Sequence, residues 1–243
     1  MEIIVGCCGF PVRRDMYCRV LRAVEVQTTF YNLPRVQTVR RWREECPPPF
    51  RFTMKAWQLI THPPSSPTYR RLRKPLSGDP QAYGYFRPTP EVWAAWLQTR
   101  EIAENLGVEW VIFQSPRSFT PTEEHISNLR TFFSRLERGS WRVGWEPRGD
   151  WPDAVVASIC KEFGITHVVD PFVRLPVTRE VAYFRLHGRT GYRYKYTEED
   201  LKCLLDRVRA YEESWVFFNN VYMWDDARAF QALLGEGRVT DNS

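Results

Sequence analysis

The sequence predicts an α/β protein whose strand-and-helix units close into one parallel (β/α)8 barrel, a single domain over residues 1–243 with a long loop after the third strand. Three observations carry this. The 243 residues are close to the roughly 250 that one such barrel uses. Short apolar runs alternate eight times with stretches of helical period, without internal repeat or compositional break. No GxGxxG and no P-loop follows any strand, which removes the usual reason to prefer an open nucleotide-binding sheet.

The elements follow in order. The apolar run 3–8, closed by Gly9, Phe10 and Pro11, reads as a buried first strand, with a short helix over 15–21. Residues 23–27 form the second strand, Glu25 and Gln27 on one face and Val24 and Val26 on the other. Helical spacing over 38–45 stops at the prolines 47–49, and 50–54 is the third strand, with Lys55 and His62 at its exit. Residues 63–90, rich in Pro, Ser, Tyr and Arg, keep neither period and read as a long loop or lid. Its basic run, Arg70, Arg71, Arg73 and Lys74, is either a solvated face or a contact for an anionic ligand. A helix over 91–106 ends at Gly107, and strand 109–114 follows. The rhythm is then regular: helix 122–137, strand 142–146, helix 151–163, strand 166–170, the seventh strand from 181, helix 198–211, strand 215–219 and helix 226–234.

The seventh strand opens the most informative stretch, VAYFRLHGRTGYRYKY, residues 181–196. Val181, Tyr183, Arg185 and His187 share one face and Ala182, Phe184 and Leu186 the other, so two ionisable groups end an otherwise apolar strand. A barrel aims every strand's C-terminal end at one mouth, and these ends are polar: Glu25 and Gln27, Lys55, Gln114, Glu146 and Arg148, Asp170, Arg185 and His187, Asn219 and Asn220. They form either a ligand site or a satisfied ion-pair network of Glu25, Glu146, Asp170, Lys55 and Arg185.

Composition narrows the partners. A net charge of +5 favours an anion without requiring nucleic acid. The 10 Trp and 11 Tyr suit rings at a ligand mouth or large-ring packing. Six cysteines at 7, 8, 18, 46, 160 and 203 form no CxxC pair, so reduced thiols are expected, Cys7 and Cys8 as buried, inert ones. No signal segment and no apolar run of about 18 residues is seen, and a soluble cytoplasmic protein with no membrane partner is expected. His62, His187, Glu146 and Asp170 could supply nitrogen and oxygen donors to a divalent metal, but no HxH or HExxH spacing supports this, and Arg185 and Lys55 suit an anion better. His125 and His167 read as structural.

In order and spacing, VEVQTTFYNLP, FRFTMKAWQLITHP, VIFQSP, WEPRGDW, VVDP, YFRLHGRTGYRYKY and FFNN resemble the YecE-like family, domain of unknown function seventy-two, over nearly the whole chain. The resemblance implies a TIM barrel. It also implies that Glu25, Phe30, Tyr31, Lys55, Thr61, His62, Gln114, Glu146, Arg148, Asp170, Arg185, His187, Gly188, Tyr194, Tyr196, Asn219 and Asn220 occupy recurrent motif positions. Three departures stand out: Gln27 where the family usually has asparagine, Gly149 where it has histidine, and Cys7 and Cys8 where it has Thr-Ser. The missing histidine weakens a multi-histidine metal centre.

The expected function is an enzyme binding a small anionic or phosphate-bearing substrate at the barrel mouth. Arg185, Arg148 and Lys55 would hold the anion, and Glu146 or His187 would act as acid or base, with Asp170 and Glu25 in the catalytic set. Gln114, Tyr31, His62, Tyr194, Asn219 and Asn220 would line the ligand. Two alternatives are a metal-assisted phosphodiester hydrolase acting on nucleic acid and a non-catalytic nucleic-acid binder using residues 70–74 and exposed aromatics.

Overall fold

The computed structural model describes residues 1–240, with only the backbone described for 236–240. Residues 241–243, the end of the expected domain, lie outside the described residues. Eight strands, β1 (Glu2–Cys8), β2 (Ala23–Val26), β3 (Arg51–Lys55), β4 (Val108–Ser115), β5 (Arg142–Pro147), β6 (Thr166–Val169), β7 (Val181–Leu186) and β8 (Glu213–Phe218), succeed one another in a closed barrel, and β1 pairs in parallel with β8. The predicted barrel is therefore the observed one. The α-helices of the described residues are α1 (Arg14–Val20), α2 (Thr28–Tyr31), α3 (Val36–Glu45), α4 (Gln58–Thr61), α5 (Pro90–Leu106), α6 (Glu123–Arg135), α7 (Asp153–Phe163), α8 (Glu198–Val208) and α9 (Met223–Thr240), so every strand but β6 is followed by a helix. The one-turn helices α2 and α4 were not expected, since four residues are too few to show a helical period.

Internal contacts divide the chain into two compact units, one of Met1–Glu25, Glu45–Arg51 and Val168–Ser243, the other of Val26–Glu44 and Phe52–His167. In the first unit β1 lies between β2 and β8, with Gly6 opposite Ala23 and Phe217. A Cβ at Gly6 would fall 2.3 Å from the Ala23 carbonyl oxygen, so only glycine lets the strands approach there. The buried hydroxyl of Tyr17 on α1 accepts from the Cys7 N–H at 2.7 Å and donates to the Ala23 carbonyl at 2.8 Å, stitching the helix to two strands. Cys18 and Cys46 form a disulfide with Cα atoms 5.7 Å apart. This corrects the expectation of six reduced thiols. Their separation of 28 residues hid a proximity that only α1 and the end of α3 create.

In the second unit β4 pairs with β3 and β5. Its core is aromatic: Phe86, Trp96, Phe113, Phe132 and Phe133 interlock with ring centroids 5.3–6.2 Å apart. Trp96, Trp110, Trp145 and Trp151 are also fully buried, so large rings here build core. Thr89 caps the start of α5 through the Val92 N–H, and Gly107, in the left-handed region at φ 63°, ends it. The segment 63–90 carries two 3-10 turns, Pro67–Arg71 and Pro80–Ala82, and is anchored by buried Phe86, whose N–H donates to Ile60.

Candidate functional site

The second unit places polar residues at the C-terminal ends of β3, β4 and β5. The Lys55 ammonium donates to Gln114 Oε1 at 2.8 Å and lies 3.9 Å from the Phe30 ring centroid. Gln114 and Glu146 are register partners on β4 and β5, and Arg148 Nη1 donates to Glu146 Oε1 at 2.9 Å. Beneath these residues, the Ser115 hydroxyl accepts from Trp145 Nε1, and the Ser115 carbonyl accepts from the Arg148 N–H. Lys55 and Glu146 are buried, whereas the Arg148 side chain is 34% exposed, so its guanidinium is the solvent-facing group of the set.

Around Lys55 the loops are tightly tied. Thr29 Oγ1 bonds to the carbonyls of Val26 and Lys55, and the Tyr31 carbonyl accepts from Trp57 Nε1 and Gln58 Nε2. His62 is buried edge-on to Phe30, its Nδ1 2.8 Å from Thr61 Oγ1; burial, with the nearby Lys55 charge, lowers its pKa to about 3, so it is neutral at pH 7. Burial likewise takes His167 down to about 4. The basic run is held by Asn32, which donates to the Arg71 carbonyl and accepts from the Arg73 N–H, while Arg71 packs 3.6 Å from the Tyr31 ring centroid.

In the first unit the expected residues fall into two sets. Arg185 on β7 donates to Glu25 on β2 from Nε at 3.0 and 3.1 Å and from Nη2 at 2.9 Å, and Tyr183 Oη adds 2.9 Å to the same carboxylate. Cys8 Sγ lies 3.5 Å from Glu25 Oε1. All are buried, and burial raises the neighbouring Cys7 thiol to about 12, well away from a reactive thiolate. The second set lies at the ends of β6, β7 and β8. Asp170 accepts the backbone N–H groups of Phe172 at 2.9 Å and His187 at 2.8 Å, while Asn219 Nδ2 lies 3.0 Å from His187 Nδ1. An amide nitrogen only donates, so with this orientation of Asn219 the contact is one that Nδ1 accepts.

Tyr194 and Asn220 brace the segment after β7. Tyr194 Oη donates to Asp200 Oδ2 at 2.5 Å, and Asn220 Nδ2 bonds to the Tyr194 carbonyl at 2.7 Å and to Asp226 Oδ2 at 2.6 Å. Asp200 and Asp226 escaped the sequence reading. Asp200 carries a visible signal, the Thr197-x-x-Asp200 capping box at the start of α8, whereas nothing local marks Asp226. Among the described residues no group of three or more His, Cys, Asp or Glu side chains is placed to hold a metal ion. No helix among them is long and apolar enough to cross a membrane.

The family described as "Protein of unknown function DUF72" matches residues 12–242. The chain belongs to the DUF72 family. Two solved DUF72 proteins share its fold. The one from Enterococcus faecalis V583 is 23% identical at a TM-score of 0.74, covering 96% of this chain and 98% of its own. The one from Thermotoga maritima MSB8 is 23% identical at 0.68, covering 97% and 100%. Endonuclease IV from Thermus thermophilus is similar at the level of fold, with 12% identity, a TM-score of 0.53 and coverage of 97% and 99%. A comparison with curated proteins finds no match.

Proposed function

We propose that this DUF72 protein is an enzyme that binds a small anionic, phosphate-bearing substrate at the β3–β5 strand ends. The supporting observation is two hydrogen-bonded pairs, Lys55–Gln114 and Arg148–Glu146, on neighbouring strand ends where Gln114 and Glu146 are register partners, with a buried cation in one pair and a partly exposed one in the other. Arg148 is the entry group: its guanidinium can exchange Glu146 for a ligand oxygen at little desolvation cost, because it is already partly in water. Lys55 supplies a fixed positive charge and Gln114 a neutral amide. Glu146, released from Arg148 as the anion binds, becomes the proton acceptor.

In the first unit the His187 backbone N–H is held by Asp170, and its Nδ1 lies 3.0 Å from Asn219 Nδ2. Arg185 is left out of the ligand set because its guanidinium is bidentate to Glu25 in a fully buried position, and Glu25 leaves the catalytic set with it.

Calorimetric titration with inorganic phosphate tests this reading. Arg148→Ala and Lys55→Met are each expected to weaken binding at least about tenfold, a loss of about 1.4 kcal/mol. Unchanged phosphate affinity in both folded variants would remove the β3–β5 strand ends as the anion site.

A further inference from the structure

We infer that the segment joining β7 to α8, with the residues that follow β8, is a contact surface for single-stranded nucleic acid. Residues 188–196, GRTGYRYKY, interleave three cations with three tyrosines and contain no carboxylate. The fold assigns these side chains different tasks. Tyr196 is buried and its hydroxyl accepts the Gly188 N–H; Tyr194 and Arg189 both bind Asp200. Tyr192 is left 55% exposed, and Arg193 and Lys195 are exposed and form no ion pair among the described residues.

A second loop completes the surface. The Val221 N–H donates to the Tyr192 carbonyl at 2.8 Å, and Val221 and Tyr222 are 53% and 39% exposed. Lys195 Nζ lies 5.7 Å from the Tyr222 ring centroid. Residues Thr190 to Lys195 line a cleft of about 530 Å³. The acidic starts of α8 and α9 offset this charge only in part: Asp200 is bound to Arg189, Glu198 is paired with Lys202, and Asp226, on which the Lys195 charge acts, is bound by Asn220, which leaves Glu199 and Asp225. Exposed rings stack on bases of any identity while alternating cations meet phosphates, and this pairing fits a single strand better than a duplex, whose bases are already stacked. A free anion would use the cations and leave the two tyrosines without a role.

The braced backbone makes the surface a preformed one. Gly188 holds φ +85°, and a Cβ there would fall 2.2 Å from the Gly191 carbonyl oxygen, so the turn that presents Tyr192 depends on glycine. The inference stands apart from the phosphate site on β3–β5, which is tested through Arg148 and Lys55.

Fluorescence anisotropy with a labelled oligothymidylate and the full chain decides it. Arg193→Ala/Lys195→Ala should weaken binding at least about tenfold and make the log–log salt slope shallower by about 1.4, the share of two single-strand phosphate contacts. Tyr192→Ala/Tyr222→Ala should weaken binding about tenfold or more with the slope unchanged. Inorganic phosphate at equal ionic strength should not compete, and a duplex should bind more weakly. No oligothymidylate binding at low salt, equal binding by wild type and both double variants, or full competition by phosphate would overturn the inference. So would loss in the cation variant alone, which identifies a surface for anions in general.

Discussion

Two arginine–glutamate pairs in this protein share their chemistry and differ in their surroundings. Arg185 and Glu25 are 1% and 0% exposed, bidentate, and joined by Tyr183. Arg148 and Glu146 are 34% and 4% exposed and meet through one guanidinium nitrogen. Taking both charges of the first pair out of water is costly, and only the full set of hydrogen bonds offsets it, so neither partner can leave for a ligand without stranding the other. The second pair keeps one foot in water, so its arginine can change partner cheaply. Residue type alone therefore does not separate the two arginines; the number of donors already committed, and the water left around them, does.

Removing one side of the buried pair gives the largest expected effect. Glu25→Ala should lower the unfolding free energy by about 3–5 kcal/mol in urea denaturation, and Glu25→Leu/Arg185→Met should regain much of the loss, because the cost lies in the stranded charge. A single-variant cost below about 1 kcal/mol would erase the contrast between the pairs. Tyr183→Phe, which deletes one hydrogen bond to the same carboxylate, should cost about 2 kcal/mol in the same assay.

Burial also makes a pH prediction. The folded pKa of His62 is about 3 and that of His167 about 4, against 6.5 for a free imidazole. Both groups are neutral when folded, so the stability they contribute is complete above pH 6.5. Below it the unfolded chain takes up protons that the folded chain refuses, and stability falls by up to about 1.4 kcal/mol per pH unit for each histidine, levelling off below pH 4 and then 3. His62→Gln should flatten that slope by up to one proton; an unaltered slope would show His62 to be protonated in the folded state. The smallest effect belongs to the exposed pair: Arg148→Ala should change stability by less than about 1 kcal/mol, read from the same urea curves.

The barrel was legible because each strand is a short apolar run bounded by a turn signal and each long helix shows its period. Polar groups at strand ends were legible too: Gln114 and Glu146 are register partners, and Asp170 accepts the His187 backbone N–H. What the sequence did not show is commitment. Arg185, Arg148 and Lys55 look alike as cations at strand ends, and only three-dimensional pairing separates the arginine locked on Glu25 from the one at the surface. The same holds for Cys18 with Cys46, whose meeting depends on packing between elements and leaves no local pattern.

Thermal melts with and without inorganic phosphate compare the two pairs in one experiment, since a ligand that binds the folded state raises the melting temperature. Arg148→Ala should melt with the wild type in phosphate-free buffer and lose the phosphate-induced rise, while Tyr183→Phe should melt lower and keep it. A full phosphate-induced rise in Arg148→Ala, or its loss in Tyr183→Phe, would contradict the division between a pair that holds the fold and a pair that meets the ligand.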